Sequence, residues 1–169
     1  MTAANKADIV VRRAKRTDAP AIATVIAAAS GRRLTPTPEE ALEWLYTKGY
    51  WVALQGDAVV GVVGWQAENL IASIEDFYLA PIGHWQQVAE ALLKTIEQEA
   101  NLLSCEVALL GLPQGTPEPL VAFLAEHGYQ VQPLDDLIRA WREAAEEFVD
   151  ETMILLVKKL RERRIMRPL

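Results

Sequence analysis

Scarcity sets the first limits on this chain. Its 169 residues include one cysteine and two histidines. A single thiol, Cys105, excludes an internal disulfide. Scattered imidazoles and one thiol show no ligand spacing, so no metal is expected. Flanked by Leu102, Leu103 and Val107, Cys105 reads as a core thiol and not a nucleophile. No apolar run approaches the ~20 residues of a membrane helix. The opening MTAANKADIVVRR has no apolar signal core, so a cytoplasmic protein without a membrane partner is expected. Neither a Walker-type nor a dinucleotide fingerprint is present, and there is no repeat or low-complexity segment.

What is present suits one core. The chain is 51 % hydrophobic, and its length is short for two domains, so residues 1–169 are expected to form one domain. Net charge is −6 and unevenly spread. The last twelve residues, KKLRERRIMRPL, hold six of the 17 basic side chains and one of the 23 acidic ones. An acidic body argues against nucleic acid and weakly favours cationic small molecules or basic peptides. The basic tail, residues 158–169, reads as a solvated end docking on that body.

Local patterns give the order of elements. Residues 9–13 (IVVRR) read as a strand. Thr17 or Asp18 can cap a helix ending at Ser30-Gly31, where glycine takes the left-handed cap. Thr37 and Glu40 have capping-box spacing, with Pro38 in the first turn, and Gly49 is expected to close that helix. Residues 50–54, Gln55-Gly56-Asp57 and residues 58–65 read as a hairpin in which Gly61 and Gly64 mark bulges or close packing. Further strands are expected at 73–79, 106–110, 129–131 and 152–160, and helices at 84–100, around 120–126, and at 134–148. Residues 111–119 read as loop. Three successive strands argue for antiparallel pairing, and the later alternation for helix crossovers. The expected fold is α/β (α+β): a mixed, mainly antiparallel sheet of six to seven strands with helices on both faces.

The junction FYLAPIGHWQQVAEALL, residues 77–93, carries the functional question. A strand runs into a helix, an arrangement whose helix N-terminus offers N–H groups and a positive dipole end to an anion. Here the turn reads His84-Trp85-Gln86-Gln87, without the usual glycines.

Five segments together resemble the GNAT superfamily of acyl-CoA-dependent N-acyltransferases: IVVRRAKRTDAPAIATVI, WVALQGDAVVGVVGW, IEDFYLAP with AEALLKTIEQEA, FLAEHGYQV, and the closing strand ending in VKKL. The resemblance spans nearly the whole chain. It implies that the backbone of Phe77, Tyr78 and Leu79 holds the pantetheine of acetyl-CoA, the cosubstrate. It implies that the pyrophosphate meets the helix start, with His84, Gln86, Gln87, Val88 and Ala89 as candidates. Against the family pattern Arg/Gln-x-x-Gly-x-Gly/Ala, His84 replaces the first residue and Gln87 a glycine, while Ala89 conforms.

Acyl transfer to an amine needs a base and an oxyanion site, and can use an acid for the thiolate. Glu75 and Asp76 are the candidate bases, and only one of two successive strand residues can face a cleft. The resemblance slightly favours Glu75. The tyrosine the family often places in its late helix is absent, since the pair reads Phe123-Leu124. His127, at a helix end before Gly128, reads as a cap. Trp44, Tyr46, Tyr50, Trp51 and Trp65 lie in the region that the resemblance assigns to the acceptor, with core packing as the plainer reading. The face of Leu134, Leu137, Ile138 and Trp141 could cover a cleft or meet a second subunit, and edge strands allow a homodimer. The implied function is N-acetyl transfer to a small-molecule or peptide amine. The alternative is a catalytically inactive domain of the same fold that senses a ligand or binds a protein.

Overall fold

The computed structural model describes residues 8–161. Among these are strands β1 (Ile9–Arg13), β2 (Gly49–Gln55), β3 (Ala58–Glu68), β4 (Ile71–Leu79), β5 (Val107–Pro113), β6 (Gln130–Val131) and β7 (Met153–Lys159). The helices are α1 (Ala19–Ala29), α2 (Pro38–Trp44), α3 (Trp85–Leu102), α4 (Glu118–Glu126) and α5 (Arg139–Glu146). The sheet order is β1-β2-β3-β4-β5-β7-β6, with β4 and β5 parallel and antiparallel pairs on either side. This is the mixed, mainly antiparallel architecture expected, at seven strands.

Local chemistry explains most boundaries. The Glu40 N–H donates to Thr37 Oγ1 at 3.1 Å and the Thr37 N–H to Glu40 Oε1 at 3.4 Å, closing the capping box of α2. Gly49 does not end that helix; it opens β2. Gly56 turns the β2–β3 hairpin at φ 60°. Asp18 does not cap α1 with its side chain. Its carboxylate instead accepts from Arg12 Nη1 and the Lys15 N–H, each at 2.7 Å, and the Arg12 hydrogen bond lowers its pKa.

The described residues form two compact units, one of residues 8–66 and 76–96, the other of residues 67–75 and 97–161. In the first, α1 buries Ile22, Val25 and Ile26, and α2 buries Ala41, against Tyr50, Val52 and Val62. Truncating such an isoleucine to alanine costs about 2–5 kcal/mol. On the other face α3 sits very close: a Cβ on Gly61 would fall 2.7 Å from Val88 Cγ1. The pairing steps from Ala53↔Gly61 to Leu54↔Val59, a bulge at Val60 beside that contact.

In the second unit, Leu137, Trp141, Ala145 and Val149 pack on Ile71, Val107, Leu109, Leu155 and Val157. The helix expected over 134–148 is broken. A 3-10 turn at Leu134–Asp136 gives way to extended backbone at Leu137 and Ile138 before α5 starts. The break lets Leu137 enter the core while Ile138 stays exposed, so the four-residue face read from the sequence does not exist as one stripe. Residues 111–113, expected as loop, extend β5 against β7. The supposed basic tail begins inside this unit: Lys158 and Lys159 belong to β7, and Arg161 donates to the Asn101 carbonyl at 2.8 Å. The rest of that tail lies outside the described residues. Cys105 is fully buried, and burial raises its pKa, as a core thiol requires.

Candidate functional site

Strand β4 carries the candidate acid–base groups. Its parallel ladder with β5 comprises four pairs, Ile71↔Val107 to Ile74↔Leu110, and residues 75–79 lie beyond it. On its other side β4 stays tied to β3, with the Ala80 N–H donating to the Val60 carbonyl at 2.9 Å.

Asp76 is the centre of a small polar cluster in the first unit. The Tyr50 hydroxyl donates to Asp76 Oδ2 at 2.5 Å, and Lys48 Nζ donates to the same oxygen at 3.1 Å. Asp76 and Lys48 keep 23 % and 18 % of their side-chain surface exposed, so water reaches both. Gly64 makes the meeting possible: a Cβ there would stand 2.6 Å from Tyr50 Cε1 and 3.0 Å from Asp76 Oδ2. Tyr50 stands in the aromatic group that the resemblance places on the acceptor side, but nothing local marks Lys48 or pairs either residue with Asp76, 26 and 28 positions away. Gly64, legible as a glycine of a bulge or close packing, is a second signal.

Glu75, the other candidate base, is half-buried and makes an interaction of its own. Strand alternation turns it away from the face that Asp76 uses. Tyr78 shares the Asp76 face, and its hydroxyl is pushed up to about 12, first by burial and then by the Asp76 charge, against a smaller opposing effect of Arg33. Phe77 is buried; Tyr78 and Leu79 are half-buried.

The strand-to-helix turn differs from the open set of amides expected. The Trp85 N–H donates to the Ile82 carbonyl at 3.2 Å and the Gln87 N–H to the His84 carbonyl at 3.1 Å. Two first-turn donors are therefore already engaged. His84 Nε2 donates to Gln55 Oε1 at 2.8 Å, which ties the imidazole to the end of β2. Gln86 is exposed and Gln87 half-buried, while Val88 and Ala89 are fully buried and can offer only main chain. Gly83, just upstream, has open space around it.

The late-helix candidates are structural. Leu124 is fully buried, and Tyr129 is buried with its hydroxyl donating to Glu97 Oε2 at 3.1 Å. Burial first, and Glu97 second, raise the Tyr129 pKa far above its ordinary value. His127 Nδ1 donates to the Phe123 carbonyl at 2.8 Å, closing the end of α4. Of the aromatic group, Tyr50 and Trp65 are buried, Trp44 packs on the core, Trp51 lies under the Arg13 guanidinium at 5.1 Å, and Tyr46 is exposed. A hollow of about 500 Å³ in the second unit, lined by Val131, Pro133, Leu134 and Met153, contains none of the candidate catalytic or cosubstrate-binding residues. Its Asp150 is engaged by the Thr152 N–H and hydroxyl in a turn. No group of three or more metal-ligating side chains occurs among the described residues, and none of their helices is long and apolar enough to cross a membrane.

Comparison with known proteins places these features in context. The family model described as acetyltransferase (GNAT) family matches residues 20–129. No curated protein sequence matches the chain. An acetyltransferase of GNAT family from Staphylococcus aureus Mu50 superposes with a TM-score of 0.74 at 13 % identity, covering 91 % of this chain and 100 % of the other. The PaiA N-acetyltransferase of Thermoplasma acidophilum, solved with coenzyme A, gives 0.70 at 14 %, over 90 % and 99 % of the two chains. The ribosomal-protein-S18-alanine N-acetyltransferase of Escherichia coli gives 0.67 at 12 %, over 96 % and 100 %. At such identities the likeness is one of fold.

Proposed function

The chain belongs to the acetyltransferase (GNAT) family, and we propose that it transfers an acyl group, acetyl in the first instance, from coenzyme A to the amine of a small molecule or a protein. The observation that carries this is the Asp76 carboxylate, held on β4 by Tyr50 and Lys48 one residue before Phe77–Leu79, the stretch that lies beyond the β5 ladder. Main-chain groups of Phe77–Leu79 would pair with pantetheine. The start of α3 would face the pyrophosphate, the dipole of an 18-residue helix supplying what the side chains do not.

Asp76, with Glu75 as the alternative, would take the proton from the acceptor ammonium, directly or through water. No tyrosine at position 124 is needed for departure of the thiol, because a thiolate with a pKa of ~8.5 is a fair leaving group. Coenzyme A in the Thermoplasma acidophilum relative and the amine acceptor named for the Escherichia coli relative support this assignment of cosubstrate and acceptor class.

Calorimetric titration with acetyl-CoA, followed by a panel of amines, tests the reading. Binding in the micromolar range with release of free thiol on one or more amines is expected. Absence of binding at millimolar acetyl-CoA would end it. The engaged Gln87 N–H and the buried Leu124 favour one other reading, an inactive domain that senses its ligand. Binding without thiol release on any amine would select that reading.

A further inference from the structure

We propose that Lys48 is itself an acyl acceptor, so that the chain acylates its own lysine; this rests on the acyltransferase reading above. The Lys48 ammonium is half-buried and lies 3.1 Å from Oδ2 of Asp76, the carboxylate read above as the base for an acceptor ammonium. The Tyr50 hydroxyl on the same oxygen and the missing Cβ at Gly64 hold the carboxylate in place for it. Among the described residues the other lysines are placed differently: Lys15, Lys94 and Lys159 are exposed, and Lys158 meets Glu97 in the second unit. A lysine has a flexible four-carbon stem that lets its amine turn from one neighbour to another. A nucleophile already positioned converts a bimolecular attack into a unimolecular one.

The step balances without any further reagent. Nζ gives one proton to water through Asp76 and attacks the thioester carbonyl carbon. The C–N bond forms, the C–S bond breaks, and the second proton leaves Nζ for the departing thiolate. The products are an N-acyl-lysine, free coenzyme A and one released proton. Acylation removes the cation from Asp76 and leaves the carboxylate to Tyr50, which would open the position to an external ammonium.

The test incubates the full chain with acetyl-CoA and follows intact mass and peptide fragments over time, with calorimetric binding measured on the same sample. One acetyl group per chain on Lys48 is expected, with a first-order rate independent of protein concentration. Asp76→Asn should slow it about 100-fold, and Lys48→Arg should bind acetyl-CoA yet gain no fast acetyl group. Binding with Lys48 unmodified, or modified no faster than Lys15, Lys94 and Lys159, would overturn the inference and leave the acyltransferase reading intact. So would a rate that rises with protein concentration. No binding at all would overturn both.

Discussion

Each unit holds one carboxylate between a tyrosine and a lysine, and the two trios are built differently. In the first unit Tyr50 and Lys48 both sit on Asp76 Oδ2. In the second, Tyr129 takes Glu97 Oε2 while Lys158 takes Oε1 at 2.6 Å. Glu97 thus has one donor per oxygen, and Lys158 also lies 5.4 Å from the centre of the Tyr129 ring. The side-chain exposures are alike, 23 % for both carboxylates, so burial does not separate them. The distribution of donors does. A carboxylate with a partner on each oxygen is a tie between α3, β7 and the turn after α4. Both carboxylates keep about two of their four acceptor positions, but at Asp76 the two donors crowd one oxygen and at Glu97 they are shared between both.

The sharpest way to break this comparison is to neutralise each carboxylate. Asp76→Asn should lower kcat about 100-fold or more and move the melting temperature little. Equal activity in the variant would remove Asp76 from the chemistry. The next effect attacks the geometry. Gly64→Ala forces the Tyr50 ring away from Asp76, so a destabilisation of about 1–3 kcal/mol in denaturant titration is expected, together with lost turnover. A fully active Gly64→Ala would show that the Tyr50 bond is incidental.

Glu97→Gln should do the opposite of Asp76→Asn: a loss of about 1 kcal/mol, discounted for partial exposure, and kcat unchanged. In a domain of this size that is a fall of roughly 2–4 °C in melting temperature. Loss of activity without loss of stability would reverse the roles of the two trios.

The smallest effect at neutral pH concerns the tyrosines. Tyr78 has an ordinary pKa of 10.0, and in the fold it is pushed up to about 12. Between these values the unfolded chain loses the proton and the folded chain keeps it, so stability falls as pH rises through the window. The slope is up to about 1.4 kcal/mol per pH unit. Tyr78→Phe should flatten it, and Tyr129→Phe should flatten a fall that extends to still higher pH. Alkaline melting curves of both variants against the parent chain measure the difference.

What could be read in advance follows the range of the interactions. The capping box at Thr37, the hairpin turn at Gly56, the helix ending at Gly128 and the buried Cys105 depend on residues a few positions apart, or on composition alone. The break after Leu134 is not legible in the sequence, because its apolar residues have helical spacing while core packing at Leu137 demands extended backbone. The turn at His84 was legible as a strand-to-helix junction, but the use of the Gln87 N–H within that turn was not.

Sequence by itself therefore determined the order of elements and the sheet class, because side-chain periodicity and turn chemistry act within a few residues. Only the tertiary structure gathered Tyr50 and Lys48 onto one oxygen of Asp76, and gave Glu97 a donor for each oxygen. Those contacts join residues 26 to 61 positions apart. No local pattern encodes which donor reaches which oxygen, since strand register and the room left by a single glycine decide it.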